Sequence, residues 1–376
     1  MGAIPKIVLI TAAMALVLLT TWSDKRAPTR YEVPTAGKQA DEPVFASHWV
    51  SRGETREAHS ANISLRANAP FTVWYGGTEE GHADVALFFS SFDGKTWSPA
   101  TRITDRAQTE AGLDRYIRKI GNPATHVWPD GSIGLFYVAV SVGGWGASTI
   151  NYMESRDGGS TWNQPKRIVT SPFLNISTLV RTQPVVHQDG TIELPVYHEF
   201  IGKFAESLHL DRDIRVLEKR RISWGQDALQ PAVVAVAETE ALALLRHAVD
   251  ENGRVLLSLS NDTGLSWSSP TALSLPNPNA AVAALNLGDG QILMALNDTE
   301  DGRHKLSLAR SSPGNDWRII RVLEEESAIA DPDFEFSYPS MIRDEAGLIH
   351  LVYTWNQKRI KHVVFNEGWL TGGPEV

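Results

Sequence analysis

Ser155-Arg156-Asp157-Gly158-Gly159-Ser160-Thr161-Trp162 is the stretch that decides the fold. Its Asp is suited to accept backbone N–H bonds inside a tight turn, its Gly supplies the positive φ such a turn needs, and its Trp covers the resulting hairpin. The pattern recurs. Ser260-Asn261-Asp262-Thr263-Gly264-Leu265-Ser266-Trp267 places Ser in the Thr slot, and Ser90-Ser91-Phe92-Asp93-Gly94-Lys95-Thr96-Trp97 carries its Asp one position late. A decayed copy from Arg310 to Trp317 keeps only Gly314 and Trp317. A strand-like run precedes each copy, over residues 85–90, 150–155, 255–260 and 306–310.

The four tryptophans stand at positions 97, 162, 267 and 317, and the middle interval has room for two repeats with one unmarked turn. A repeat of about 50–60 residues then puts about six blades into residues 45–376. Further turn signals fall between the marked ones: Pro129-Asp130-Gly131, Gln188-Asp189-Gly190, Gly288-Asp289-Gly290 and Asp344-Glu345-Ala346-Gly347, each followed by an apolar run. The expected fold class is therefore all-β, a β-propeller over residues 45–376 with no domain boundary inside it.

Composition agrees with many short strands: among 376 residues there are 12 Trp and 29 Gly, and 42% of residues are hydrophobic. The formal net charge of −9 argues against a nucleic-acid binder, which needs a basic surface. With no cysteine, disulfides and Cys-ligated metals are excluded. No His or carboxylate cluster has metal-ligand spacing, so neither a metal nor another cofactor is expected. Lys6 precedes an apolar run over residues 7–19, the layout of a secretory signal or an uncleaved anchor over residues 1–23. Residues 24–44 read as a polar linker. The protein is expected to be exported: periplasmic, membrane-anchored facing the periplasm, or secreted, with membrane contact only through this segment.

The Asp-turn motifs, together with Trp74-Tyr75-Gly76-Gly77-Thr78-Glu79-Glu80-Gly81 through Asp84, Gln230-Pro231 through Arg246, Pro276-Asn277-Pro278-Asn279 and Tyr338-Pro339-Ser340 through Lys361-His362, resemble the BNR-repeat (Asp-box), sialidase-like family in its bacterial predicted-neuraminidase branch. The resemblance covers roughly residues 45–370. It implies a six-bladed propeller with an active site at the centre of one face, where arginines clamp a substrate carboxylate, a Tyr acts as nucleophile and an Asp as acid/base. Guanidinium groups suit a carboxylate because they bind it bidentately and keep their charge at any working pH. A neutral phenol suits attack beside an anionic sugar, where a carboxylate would be repelled; sialidases with a Tyr nucleophile depart from the two-carboxylate scheme.

By this resemblance Arg246 and Arg303 are the carboxylate clamp, Tyr338 is the nucleophile, and Asp84 is the acid/base with Glu80 as its rival. Arg118, Arg181 and Arg359 are further candidate substrate-binding cations. Two departures stand out. The Arg-Ile-Pro motif that carries the first arginine is absent, with His59-Ser60-Ala61-Asn62 in its place, so His59 either faces the ligand or is structural. Gln230 occupies the position of the Glu that activates the Tyr, and an amide cannot take a phenol proton. The expected function is an exo-acting glycoside hydrolase on an acidic sugar of an exopolysaccharide or cell-surface glycan. The alternative is a non-catalytic glycan-binding or polysaccharide-assembly propeller. An acidic glycan is the expected partner in either case.

Overall fold

The computed structural model describes residues 29–34, 42–171, 175–288, 290–312, 316–327, 331 and 333–372. The Asp turns form as their chemistry demands. Asp157 accepts the Thr161 N–H at 2.9 Å and the Thr161 hydroxyl at 2.6 Å. Ser155 Oγ accepts the Gly159 N–H at 2.8 Å and donates to Asp157 at 2.9 Å. Gly159 has φ of 94°, and a Cβ there would lie 2.5 Å from the Phe89 ring, so glycine is required twice over. In the first copy the late Asp93 still captures the N–H groups of Lys95 and Thr96, at 2.8 and 2.7 Å. Phe92, in the vacated slot, is buried. In the decayed copy Gly314 lies outside the described residues, as does Asp289 of a neighbouring turn, while Trp317 is buried.

Each marked turn joins the third strand of an antiparallel sheet to its outer strand. Six such sheets follow along the chain, over residues 57–105, 119–167, 179–221, 228–276, 283–325 and 336–365, and the protein is an all-β six-bladed β-propeller. The wide interval between Trp162 and Trp267 holds blade 3, whose inner strand is split into Leu179–Val180 and Val185–Val186, both paired with Ile192–His198. Blade 6 takes its outer strand from the beginning of the propeller: Phe45–Trp49 pairs with Arg359–Phe365 from Phe45↔Phe365 to Trp49↔Lys361. That closure joins the two ends of the ring and gives blade 6 its fourth strand.

A polar line backs up the closure. Trp97 Nε1 donates to His362 Nδ1 at 3.2 Å, His362 Nε2 and His350 Nδ1 are 3.1 Å apart, and His350 Nε2 lies 3.4 Å from Asp344. Because the indole only donates, His362 must carry its proton on Nε2 and His350 on its own Nε2, directed at Asp344. The stack therefore works only with both imidazoles neutral.

Of the expected linker over residues 24–44, the structure describes residues 29–34 and 42–44. Tyr31 is fully buried, stacks on His187 at 4.8 Å and approaches Glu193 at 3.2 Å through its hydroxyl, while its N–H donates to the Glu238 carbonyl at 2.8 Å. An aromatic ring with a buried carboxylate waiting for its hydroxyl is packing, and composition alone does not reveal it. The expected signal or anchor at residues 1–23 lies outside the described residues. Among the described residues no helix is long and apolar enough to cross a membrane.

Two predictions follow from these contacts. Burial pulls His126 and His209 down to about 4, and also lowers His59, His350 and His362 below the usual 6.5. From pH 6.5 downward the unfolded chain binds protons that the folded chain refuses, so stability falls as pH drops towards about 4. Urea unfolding at about pH 7 and about pH 4 measures this, and equal stabilities would contradict it. Separately, Trp97→Ala removes an indole that is only 2% exposed and strips His362 of its donor. We expect a loss of about 3–5 kcal/mol in the same assay.

Candidate active site

The cleft begins with a backbone irregularity shared by several blades. The inner strands of blades 1, 2, 4 and 6 each break register near their start, and the break contains a non-glycine residue with left-handed backbone: Ser60 (φ 51°), Asn122 (47°), Gln230 (48°) and Tyr338 (53°). Asn279 (42°) takes this conformation just before the blade 5 inner strand. Such a bulge bends the strand and re-aims the local side chains. A left-handed non-glycine residue costs about 1–3 kcal/mol and persists only where its surroundings enforce it, typically at functional sites.

Asn279 organises two guanidinium groups. Its Oδ1 accepts from Arg246 Nε at 2.7 Å, and its carbonyl accepts from Arg303 at 2.9 Å. Arg303 also pairs with Glu335 at 3.2 Å, whose other oxygen takes the Ser337 hydroxyl at 2.7 Å. Arg246 donates to Gln230 Oε1 at 3.2 Å. An arginine can only donate, so this bond fixes the amide: Gln230 Nε2 donates to the Tyr197 hydroxyl at 3.3 Å, where Asn122 also donates at 3.0 Å.

Tyr338 stands in the middle of the cluster. The Arg181 and Arg303 guanidinium carbons lie 5.2 and 5.9 Å from its ring centroid, and the His59 ring meets it edge-on at 4.7 Å. No described residue forms a hydrogen bond with the Tyr338 hydroxyl, and the side chain is only half-buried. On the other side of His59 is Glu80, 3.6 Å from His59 Nε2. Glu80 also accepts from Trp145 Nε1 at 3.2 Å, and its backbone N–H is tied to Glu57 at 2.8 Å. Lys119 lies over the Trp145 ring at 3.7 Å. Beyond it is Glu199, whose carboxyl is pushed up by burial and pulled back by Arg246 and Lys203. Burial holds His59 below its usual range, and its Nδ1 is buried without a partner.

The structure thus brings together Tyr338, Glu80, Arg246, Arg303, His59 and Gln230, with Arg181 directly beneath. It does not bring in three other expected residues. Asp84 is half-exposed and locked in its own loop, accepting the Thr78 N–H at 3.1 Å and the Thr78 hydroxyl at 2.7 Å, with His82 at 2.7 Å. The Thr78 bonds hold its carboxyl at about 2, the opposite of what an acid catalyst needs, and Glu80 is the carboxylate that faces the cluster. Arg118 is exposed and turns to the Gly143 carbonyl at 2.9 Å, while its neighbour Lys119 faces the cleft. Arg359 packs over Trp49 at 5.4 Å, on the outermost strand pair of blade 6.

Sequence reasoning missed Asn279, Glu335, Lys119, Trp145 and Tyr197 as site residues. A signal for the bulges was nonetheless present: Asn122-Pro123, Gln230-Pro231 and Tyr338-Pro339 are evenly spaced along the chain and mark every second blade.

Similar solved structures include the Hadza microbial sialidase Hz136, with a TM-score of 0.68 at 15% identity, covering 85% of this chain and 68% of that one. The intramolecular trans-sialidase from Ruminococcus gnavus matches with a TM-score of 0.67 at 12% identity, covering 91% of this chain and 100% of that one. Trypanosoma rangeli sialidase matches at 0.65 and 13%, covering 91% and 60%. At such identities the likeness shows the fold alone. No curated protein matches the sequence. The model of the BNR repeat-like domain matches residues 71–351, most of the propeller, and the chain belongs to this sialidase-like BNR family.

Proposed function

We propose that this protein is an exo-acting glycoside hydrolase that removes an acidic sugar from an exopolysaccharide or cell-surface glycan. One observation carries this: two guanidinium groups, Arg246 and Arg303, are held by the same Asn279 beside a Tyr338 whose hydroxyl has no described partner. Two forks on a common support suit a sugar carboxylate. In this scheme the carboxylate rests on Arg246 and Arg303. Glu80 protonates the leaving glycosidic oxygen, and Tyr338 meets the anomeric carbon, attacking it or shielding its oxocarbenium charge. His59, kept neutral by burial and packed edge-on against the Tyr338 ring, is the candidate base for the phenol proton in this scheme. The apolar run at residues 7–19 supports an exported enzyme, periplasmic, anchored facing the periplasm, or secreted.

A second reading is favoured by Gln230. Its amide is oriented by its bonds to Arg246 and Tyr197, and it cannot take the proton of Tyr338 as a carboxylate would. A propeller with this substitution would hold an acidic glycan without cleaving it.

The test is release of reducing sugar from a panel of acidic glycans. Tyr338→Phe and Glu80→Gln should each lower kcat by at least about 10²-fold, while Asp84→Asn should stay within about twofold because its carboxylate serves only its own loop. Turnover indifferent to both of the first two changes would sink the assignment. Binding without turnover across the panel would establish the second reading. Arg246→Lys replaces a two-pronged contact by a point charge, so kcat/KM for the acidic sugar should fall by about 10²-fold, with little change for a substrate whose carboxylate is reduced to an alcohol.

A further inference from the structure

Beneath the cleft the inner strands line a cavity of about 510 Å³ along the propeller axis, reaching Glu32, Val33 and Pro34 at its other end. Arg181 stands in its wall at the cleft end and is only 4% exposed. One of its terminal nitrogens donates to the Pro339 carbonyl at 2.6 Å and the other reaches the Val282 carbonyl at 3.5 Å, the limit of a hydrogen bond. Its Nε is buried with no partner. Among the described residues no carboxylate pairs with it; the groups that act on it most are the phenols of Tyr338 and Tyr197 and the guanidinium groups of Arg246 and Arg303. A buried charge without a counter-charge is costly, and those that persist are paired.

Two neighbours are short of acceptors as well. Asn62 Oδ1 accepts from the Thr125 N–H at 3.0 Å and the Thr125 hydroxyl at 2.9 Å, which fixes the amide's orientation. Asn62 Nδ2 is thereby left facing the Arg181 carbonyl and Ser340 Oγ, both at 3.5 Å. Ser340 Oγ already receives the Ile63 N–H at 3.3 Å as well as Asn62, and no described residue accepts its own proton. Three side chains from blades 1, 3 and 6, one of them charged, thus line the same cavity with donors that are unused or only weakly bonded and with no carboxylate among their partners. Water can accept from such groups but leaves the charge unbalanced.

We propose that Arg181, Asn62 and Ser340 form a binding site for a small monovalent inorganic anion, chloride or its like, at the cleft end of the axial cavity. The site is distinct from the Arg246–Arg303 clamp: its cation is buried and held from above by the carbonyl next to Tyr338. Its occupation would balance the guanidinium charge and tie three blades together across the axis.

The probe is halide itself. Crystals of the wild-type protein grown in sodium bromide should show an anomalous peak in contact with Arg181 Nε and Ser340 Oγ. In solution, chloride added at constant ionic strength against gluconate should raise Tm saturably, by about 2–4 °C for a site that becomes mostly filled. Arg181→Met should abolish that rise; if this variant does not fold, the bromide map of the wild type decides. Bromide found only on the surface would overturn the proposal. So would a Tm indifferent to chloride, including the case where Arg181→Met raises KM for acidic substrates, which would make the guanidinium a substrate group. The bromide map and the chloride dependence of Tm are read without any assumption that the protein is a hydrolase.

Discussion

A single left-handed residue at the start of an inner strand is what the cleft depends on. In an unbroken antiparallel strand, side chains alternate between the two faces of a blade and none is aimed along the propeller axis. Where the register of blades 1, 2, 4 and 6 breaks, at Ser60, Asn122, Gln230 and Tyr338, the strand turns out of its sheet for a residue or two and then resumes pairing. Gln230 and Tyr338 reach the central cluster from such breaks, and His59 adjoins one. The strain is affordable because each of these strands is held along one edge by a long ladder and across its faces by the cores between blades. Ring closure by Phe45–Trp49 and the Trp97–His362 bond keep the first and last blades, which supply His59 and Tyr338, in fixed relation.

The electrostatic arrangement follows from which groups orient the arginines. Arg246 is positioned by two neutral amides, Asn279 and Gln230, and Arg303 by a carbonyl and one carboxylate. Amides and carbonyls fix a guanidinium's direction without cancelling its charge, so the charge of Arg246 stays available to an anion from outside, while Glu335 offsets part of that of Arg303. A carboxylate at position 230 would accept from Arg246 equally well but would neutralise part of that charge. Gln230 therefore has a positive role here, in orienting Arg246 and donating to Tyr197.

Different parts of the site were legible to different degrees. Arg246 and Arg303 were readable because each sits at a strand end at a fixed offset from an Asp turn, and offset along a regular strand translates directly into position. Asp84 and Glu80 lie on one irregular loop, where offset says nothing about direction: four residues separate a carboxylate locked onto Thr78 from one facing His59. The same applies to Arg118 and Lys119, adjacent in sequence and turned to different surroundings. Glu335 and Asn279 precede inner strands in connecting loops, and Tyr197 acts through a hydroxyl that only becomes part of the cluster once blades 2, 3 and 4 stand side by side.

The sequence by itself determined the all-β class, the repeat, the number of blades and the family, because an Asp turn is a local structure whose Asp, Gly and Trp act within eight consecutive residues. It also determined which chain positions carry guanidinium and phenol chemistry. Only the tertiary structure decided which carboxylate joins them, that Gln230 serves Arg246, that Tyr31 belongs to the packed body, and that Arg181 is buried below the cleft without a carboxylate. Those outcomes depend on contacts between blades far apart in the chain, and the direction of a side chain across a propeller axis is set by the ring's closure and not by its neighbours in sequence.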